Sequence, residues 1–495
     1  MPGFFDFKVF EYHHNAFSNG YKLNSICFLS MFYHELNLFT MRFLSFNLLL
    51  FSLFVISCSG GGTTAEAQKK PVSQFSRAGL CDLLIDKSGV YHAVFQESPA
   101  IGKPTFIYYA SSTDKGASWS KPVTLSNDNH GNGSGYARIL QDGQGIIYAI
   151  WKRYGNTESE YPVPDELLDG PGGGISGTLF YKTLSGGQWS APIQLNEFEQ
   201  TQESWFATVA PTGILYVIWA QDNPATLKYS RQNWKFADYV RGVSLNGTTH
   251  SAYTDMTKPI QPAGPGLSFP ARQEGKIDMD GYIDKTGVLH LIYAFVDEKN
   301  VERIVYVVGG KPVVAYSYPA YAATNSWNHP PRLLVDEKGN DHLIMLPSPA
   351  TLESEQLWDE NMATKNINIL ASIQQQGVTI SGFQAKQGPN GAMAVTFEAQ
   401  PHSGNGEGFG AFYENGSWKN VGLTDNASKE KFFYKDFGVV NGYRTVASHL
   451  TRYNSKFMSV AYDAAGHKTL LMNLEAYSVG YGISNPDIIF TAIDR

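Results

Sequence analysis

Short apolar runs alternate with polar clusters along most of the chain, and seven times they fall into one form: an apolar run, a tight turn and a second apolar run. The segments are 83–95, 139–151, 207–219, 281–293, 333–345, 385–397 and 460–472. Each predicts a β-hairpin. The turns carry Gly89, Gly145, Gly213, Gly287, Gly339, Gly391 and Gly466, and five have an aspartate three residues earlier: Asp86, Asp142, Asp284, Asp336 and Asp463. The pairing has a local cause. Aspartate accepts hydrogen bonds from the N–H groups of the turn, while glycine supplies the positive φ that closes it. Six residues after each glycine stands a large apolar side chain (Phe95, Trp151, Trp219, Tyr293, Met345, Phe397, Met472), as expected where neighbouring sheets pack face to face. Recurrence at this period identifies a repeat architecture of antiparallel strands.

A second pattern follows several of the hairpins. Ser112-Thr-Asp114-Lys-Gly116-Ala-Ser-Trp119 aligns with Lys182-Thr-Leu-Ser-Gly186-Gly-Gln-Trp189, in which Leu184 stands where the aspartate belongs. Shortened relatives end in Trp234 and Trp418. The first copy fits S-x-D-x-G-x-x-W, the Asp box, and on these residues the chain resembles the sialidase-like (BNR-repeat) β-propellers over 76–495. The resemblance implies an all-β propeller of four-stranded antiparallel blades. It also implies a structural role for Ser112, Asp114, Gly116 and Trp119, in a hairpin away from the catalytic face. Seven hairpins over this span predict seven blades of about 60 residues. Hydrolytic members of the family have six, which stands as the alternative count. The wider turn-to-turn spacings place insertions at 154–177, 248–275 and 424–455.

Composition agrees with short strands and tight turns. Of the residues 14% are aromatic and 17% charged, below the usual ~25%, with 48 Gly and 24 Pro as punctuation. A net charge of −7 without a Lys/Arg run leaves no electrostatic footprint for nucleic acid. The three cysteines, Cys27, Cys58 and Cys81, are too few for a disulfide scaffold and lack zinc-site spacing. With no metalloprotease, EF-hand or phosphate-loop motif in the chain, no metal or cofactor is expected. Cys81 lies in an apolar stretch and reads as a buried small hydrophobe. Met41-Arg42, an apolar run at 43–56 and Ser57-Cys58 read as a signal peptide, too short to span a membrane. Val55-Ile56-Ser57-Cys58 resembles the lipobox of bacterial lipoproteins, which implies lipidation at Cys58 and export to the cell envelope. Residues 1–40 are then expected to be an over-extended start, 41–57 the signal, and 58–75 a flexible tether.

Candidate chemistry comes from the same alignment. Seven residues before the turn glycines stand Asp82, Arg138, Phe206, Asp280, Arg332, Gln384 and Ser459. Residues sharing one register on innermost strands share one orientation, so Asp82, Arg138, Asp280 and Arg332 are expected to clamp an acidic or hydroxyl-rich ligand. Sialidases hold the substrate carboxylate with three arginines, the first in an R-I-P motif, and use a Tyr–Glu pair with an Asp acid/base. This chain has no R-I-P; Tyr136-Ala-Arg138-Ile139-Leu140 comes nearest, so only Arg138 carries over. His130, in the polar loop 127–133, forms with Tyr136 and Arg138 a set similar to the His/Tyr/Arg chemistry of propeller polysaccharide lyases. Catalytic candidates are therefore Arg138, Arg332, His130 and Tyr136; Trp205, Tyr253 and Asp255 are candidates for a sugar-stacking platform. Three residues after the glycines His92, Tyr148, Tyr216, His290 and His342 trade places, which marks a structural strand position. The expected protein is a monomeric surface lipoprotein that recognises extracellular glycan. An exo-glycosidase, a uronate lyase and a protein-binding scaffold are the alternatives.

Overall fold

The turn aspartates organise the architecture as the sequence anticipates. In a computed structural model of the chain, Oδ1 of Asp86 accepts from the N–H groups of Ser88 and Val90 at 2.9 and 2.8 Å. The same pair of bonds recurs at Asp142, Asp284, Asp336 and Asp463. All seven turn glycines take positive φ, from 76° to 90°. Where alanine replaces the aspartate, the third turn keeps its backbone bonds, Gly213 N to Ala210 O and Ala210 N to Ile214 O.

The structure describes residues 78–492 except 100–103, 127–132, 155–176, 197–200, 222–238, 256–277, 297–300, 310, 320–330, 347–354, 374–377, 402–406, 424–430, 441–442 and 479–483. They form seven antiparallel sheets in chain order, spanning 78–124, 134–194, 201–255, 278–319, 332–373, 378–422 and 431–492. Consecutive innermost strands touch, and the last, Tyr443–Tyr462, returns to the first, Ala78–Ile85, so the sheets are the blades of a β-propeller. The insertion expected at 424–455 is partly folded, as the strand Lys431–Val440 and the start of Tyr443–Tyr462. The proposed signal, Cys58 and the tether lie outside the described residues.

One register runs through all seven inner hairpins. Asp82 faces Val94, Arg138 Ile150, Phe206 Ile218, Asp280 Ile292, Arg332 Ile344, Gln384 Thr396 and Ser459 Leu471. That register sorts the side chains between two interfaces. Residues six past the glycine pack on the preceding blade: Trp219 joins Tyr148, Ile150 and Tyr181, and Phe397 joins Leu334, Ile344 and Leu357. Trp151 and Trp219, nearly inaccessible, each remove on the order of 200 Å² from water, a contribution of several kcal/mol.

The Asp box is structural here. Ser112 Oγ donates to Asp114 Oδ1, which also accepts from Ser118 N–H at 2.8 Å, and Gly116 N–H donates to Ser112 Oγ. Hydrogen bonds from Ser118 and Ser112 hold the exposed Asp114 carboxyl down to about 2. Trp119 packs against the core shared by the first and last blades, and Trp189 lies edge-on to Tyr109 of the preceding blade at 4.9 Å. Trp418 donates to Asp359 of its preceding blade at 2.7 Å.

Two turn glycines give a paired test. At Gly89 a Cβ would meet nothing within 4 Å, so Gly89→Ala bears only the left-handed backbone strain, about 1 kcal/mol. At Gly391 the Cβ would lie 2.0 Å from Glu337 N in the neighbouring turn. Gly391→Ala must move a backbone, and urea unfolding should show a loss at least twice that of Gly89→Ala.

Candidate functional site

An innermost strand has a hydrogen-bonding partner on one side only, so its other edge directs alternate N–H and C=O groups toward the channel. The residue seven before each glycine decides what meets them. Asp82 Oδ2 accepts from Ile139 N–H of the second blade at 3.0 Å, and Asp280 Oδ2 from Leu333 N–H of the fifth at 3.0 Å. Ser459 Oγ accepts from Leu83 N–H of the first blade at 3.2 Å. Each donor sits six residues before its own turn glycine, so side chains of one blade cap the edge of the next.

These positions line a cavity of about 680 Å³. The four residues singled out by register, Asp82, Arg138, Asp280 and Arg332, all lie in its wall, with Phe206, Gln384 and Ser459. Lys386 is there too, and the sequence reading missed it. The signal was available: two residues beyond Gln384, it shares that side chain's face.

The two carboxylates differ in their surroundings. Asp82 is 1% exposed; its Oδ1 accepts from Lys386 Nζ at 2.9 Å and from Ser459 Oγ at 2.8 Å. Burial alone would raise it, but the charges of Lys386 and Arg138 and the Ile139 N–H outweigh this and hold it below the usual carboxylate range. Asp280 has no lysine beside it, and burial wins over Arg332 and the N–H groups of Leu333 and Gly281, leaving it raised. The Arg138 charge acts on both carboxyls, yet among the described residues no hydrogen bond or ion pair holds its guanidinium. Cys81, next to Asp82, is buried with its thiol pushed up.

Toward the turns the wall carries Tyr282, Asp284 and His290. His290 Nδ1 lies 2.7 Å from Asp341 Oδ2, and Tyr282 and Tyr306 also donate to Asp341, so three side chains of the fourth blade converge on one carboxylate of the fifth. His342 repeats the arrangement one blade on, with Asp359 at 2.7 Å and Asp336 at 3.6 Å. Burial would lower both imidazoles, but Asp341 with Asp284, and Asp359 with Asp336, raise them. His92 meets one aspartate, Asp86 at 3.2 Å, and burial wins, lowering it. The trade between His and Tyr now has its reason: Tyr148 reaches Asp142 Oδ2 from the same position.

Other candidates do not gather at the cavity. Tyr136 stands at an irregularity of the strand Ser134–Gln141 with φ 54°, outside the cavity wall. His130 and Trp234 lie outside the described residues, so of the set His130, Tyr136 and Arg138 only Arg138 is placed in the wall. Trp205 lines the cavity, whereas Tyr253 packs into the core edge-on to Trp219 at 6.1 Å. Asp255 pairs with Arg241 through the backbone of the third sheet.

No protein-family model and no curated protein matches the chain. Among solved structures it is similar to a protein of unknown function from Dyadobacter fermentans, at 11% identity and a TM-score of 0.41, over 84% of this chain and 95% of that one. It is also similar to the intramolecular trans-sialidase from Ruminococcus gnavus, at 10% identity and 0.40, over 88% and 99%. A third is the polysaccharide lyase Uly1, at 9% identity and 0.39, over 70% and 77%.

Two predictions follow from the electrostatics. Lys386→Met leaves Asp82 buried without its cation and should cost on the order of 3 kcal/mol in chemical unfolding, most of it recovered in the Lys386→Met/Asp82→Asn double variant. For His342, a folded-state pKa above its unfolded value near 6.5 means that its stabilisation is complete below that pH and is lost as pH rises through the raised value. The fall in unfolding midpoint from pH 6 to pH 9 should therefore be smaller in His342→Asn than in the parent; equal slopes would refute the assignment.

Proposed function

We propose that this protein is an exported lipoprotein, anchored through Cys58, whose seven sheets form one closed ring of seven blades that recognises extracellular glycan in its central cavity. One observation carries the reading of the site. Arg138, Arg332 and Lys386 meet Asp82 and Asp280 in a cavity of about 680 Å³, within the range of small-ligand pockets. Hydroxyl-rich ligands suit such a wall, because charged donors and acceptors form the stronger hydrogen bonds and Trp205 adds an aromatic surface.

Hydrolysis of the bound sugar is the second reading. Its support is the opposed ionisation of two carboxyls in one cavity, Asp280 raised and Asp82 lowered, the pattern by which one site keeps both an acid and an anion near neutral pH.

Product analysis separates these readings. The purified protein, incubated with sialylated glycans and uronate polysaccharides, should bind at least one acidic glycan, with Arg138→Ala weakening binding tenfold or more. Fragments that gain water would establish a hydrolase and unsaturated fragments a lyase. Absence of binding to any of them by folded protein would leave a protein-binding scaffold. Anchoring has its own readout: Cys58→Ser should abolish palmitate labelling and release the protein from the membrane fraction.

A further inference from the structure

The capping scheme of the inner strands is incomplete, and its gaps have a pattern. Asp82, Asp280 and Ser459 each cap the N–H of the following blade. In the second and fifth blades an arginine takes that place, Arg138 and Arg332, and an arginine cannot accept a hydrogen bond. The N–H groups they leave are those of Ala207 and Ala385. Ala207 faces Val217 and Ala385 faces Val395, in the register that pairs Ile139 with Ala149 and Leu333 with Leu343, so both N–H groups point to the channel as those of Ile139 and Leu333 do. Both residues line the cavity, and among the described residues no side chain caps either N–H.

A guanidinium and a channel-facing N–H thus stand together twice, three blades apart, each time one blade after an aspartate. The aspartates show what such an N–H takes: a carboxylate oxygen at 3.0 Å. Where arginine replaces aspartate, the internal carboxylate is gone and a cation is supplied, the donor set of an anion site. The remaining charges nearby agree. Lys386 is engaged by Asp82, and Asp280 faces Arg332, which leaves Arg138 as the excess positive charge.

We propose that the cavity holds two equivalent anion sites, Arg138 with the N–H of Ala207 and Arg332 with the N–H of Ala385, and that its ligand carries acidic groups at two places. The proposal rests on the reading of the cavity as a glycan site and specifies the glycan as polyanionic.

Calorimetric titration of the full chain with trigalacturonate, its methyl ester and neutral maltotriose tests it. The acid should bind at least tenfold more tightly than the ester. Arg138→Asp and Arg332→Asp place a carboxylate where Asp82 and Asp280 have theirs; each should weaken trigalacturonate at least tenfold, and the double variant should bind acid and ester alike. Arg138→Gln and Arg332→Gln, which add no charge, should fall between, with unfolding midpoints near the parent's to separate lost binding from lost folding. Equal binding of acid and ester overturns the anion sites while the glycan reading stands. Loss in one arginine variant and none in the other overturns the pair. No binding of any probe by folded protein overturns both the proposal and the glycan reading.

Discussion

A strand at the centre of a ring of sheets has no neighbour on its inner side, and the backbone groups along that edge must still be satisfied. This constraint governs the middle of the molecule. Three blades answer it with a side chain of the preceding blade, so that Asp82, Asp280 and Ser459 serve at once as wall and as fastener. The polar cavity is the remainder of that arrangement, the places where a donor, an aromatic ring or an amide stands instead of an acceptor.

Farther from the axis the same register hands the problem to apolar packing. Residues facing the preceding and following blades alternate along the second strand, and Trp119, Trp189 and Trp418 close the outer seams. Between the fourth and sixth blades the seams become polar, centred on Asp341 and Asp359, each with a histidine and further donors. A buried carboxylate is costly unless its lone pairs are filled, and both are surrounded by donors.

What was legible in the sequence is what local chemistry writes into consecutive residues. The D-x-x-G turns, the glycine φ and the Asp box involve partners two to four residues apart, and the side-chain period of two carries the register outward to Asp82, Arg138, Asp280 and Arg332. Lys386 escaped because its partner lies 304 residues away. The meaning of the aspartates escaped as well: as a row of charges they suggested a ligand clamp, whereas Asp82 spends its oxygens on Ile139, Lys386 and Ser459. The insertion at 424–455 showed no alternating pattern strong enough to reveal the strand Lys431–Val440.

Those three partners of Asp82 also impose an order on events. Ile139 is 57 residues downstream, but Lys386 and Ser459 are 304 and 377 residues downstream. While the chain is being made, the first blade holds a carboxylate whose compensating cation does not yet exist, and the ring has no last blade to rest on. Contacts at such separation form late. The first blade is therefore also the last to be completed, and a chain emerging N-terminus first stays open, without a finished core, until nearly all of it has appeared.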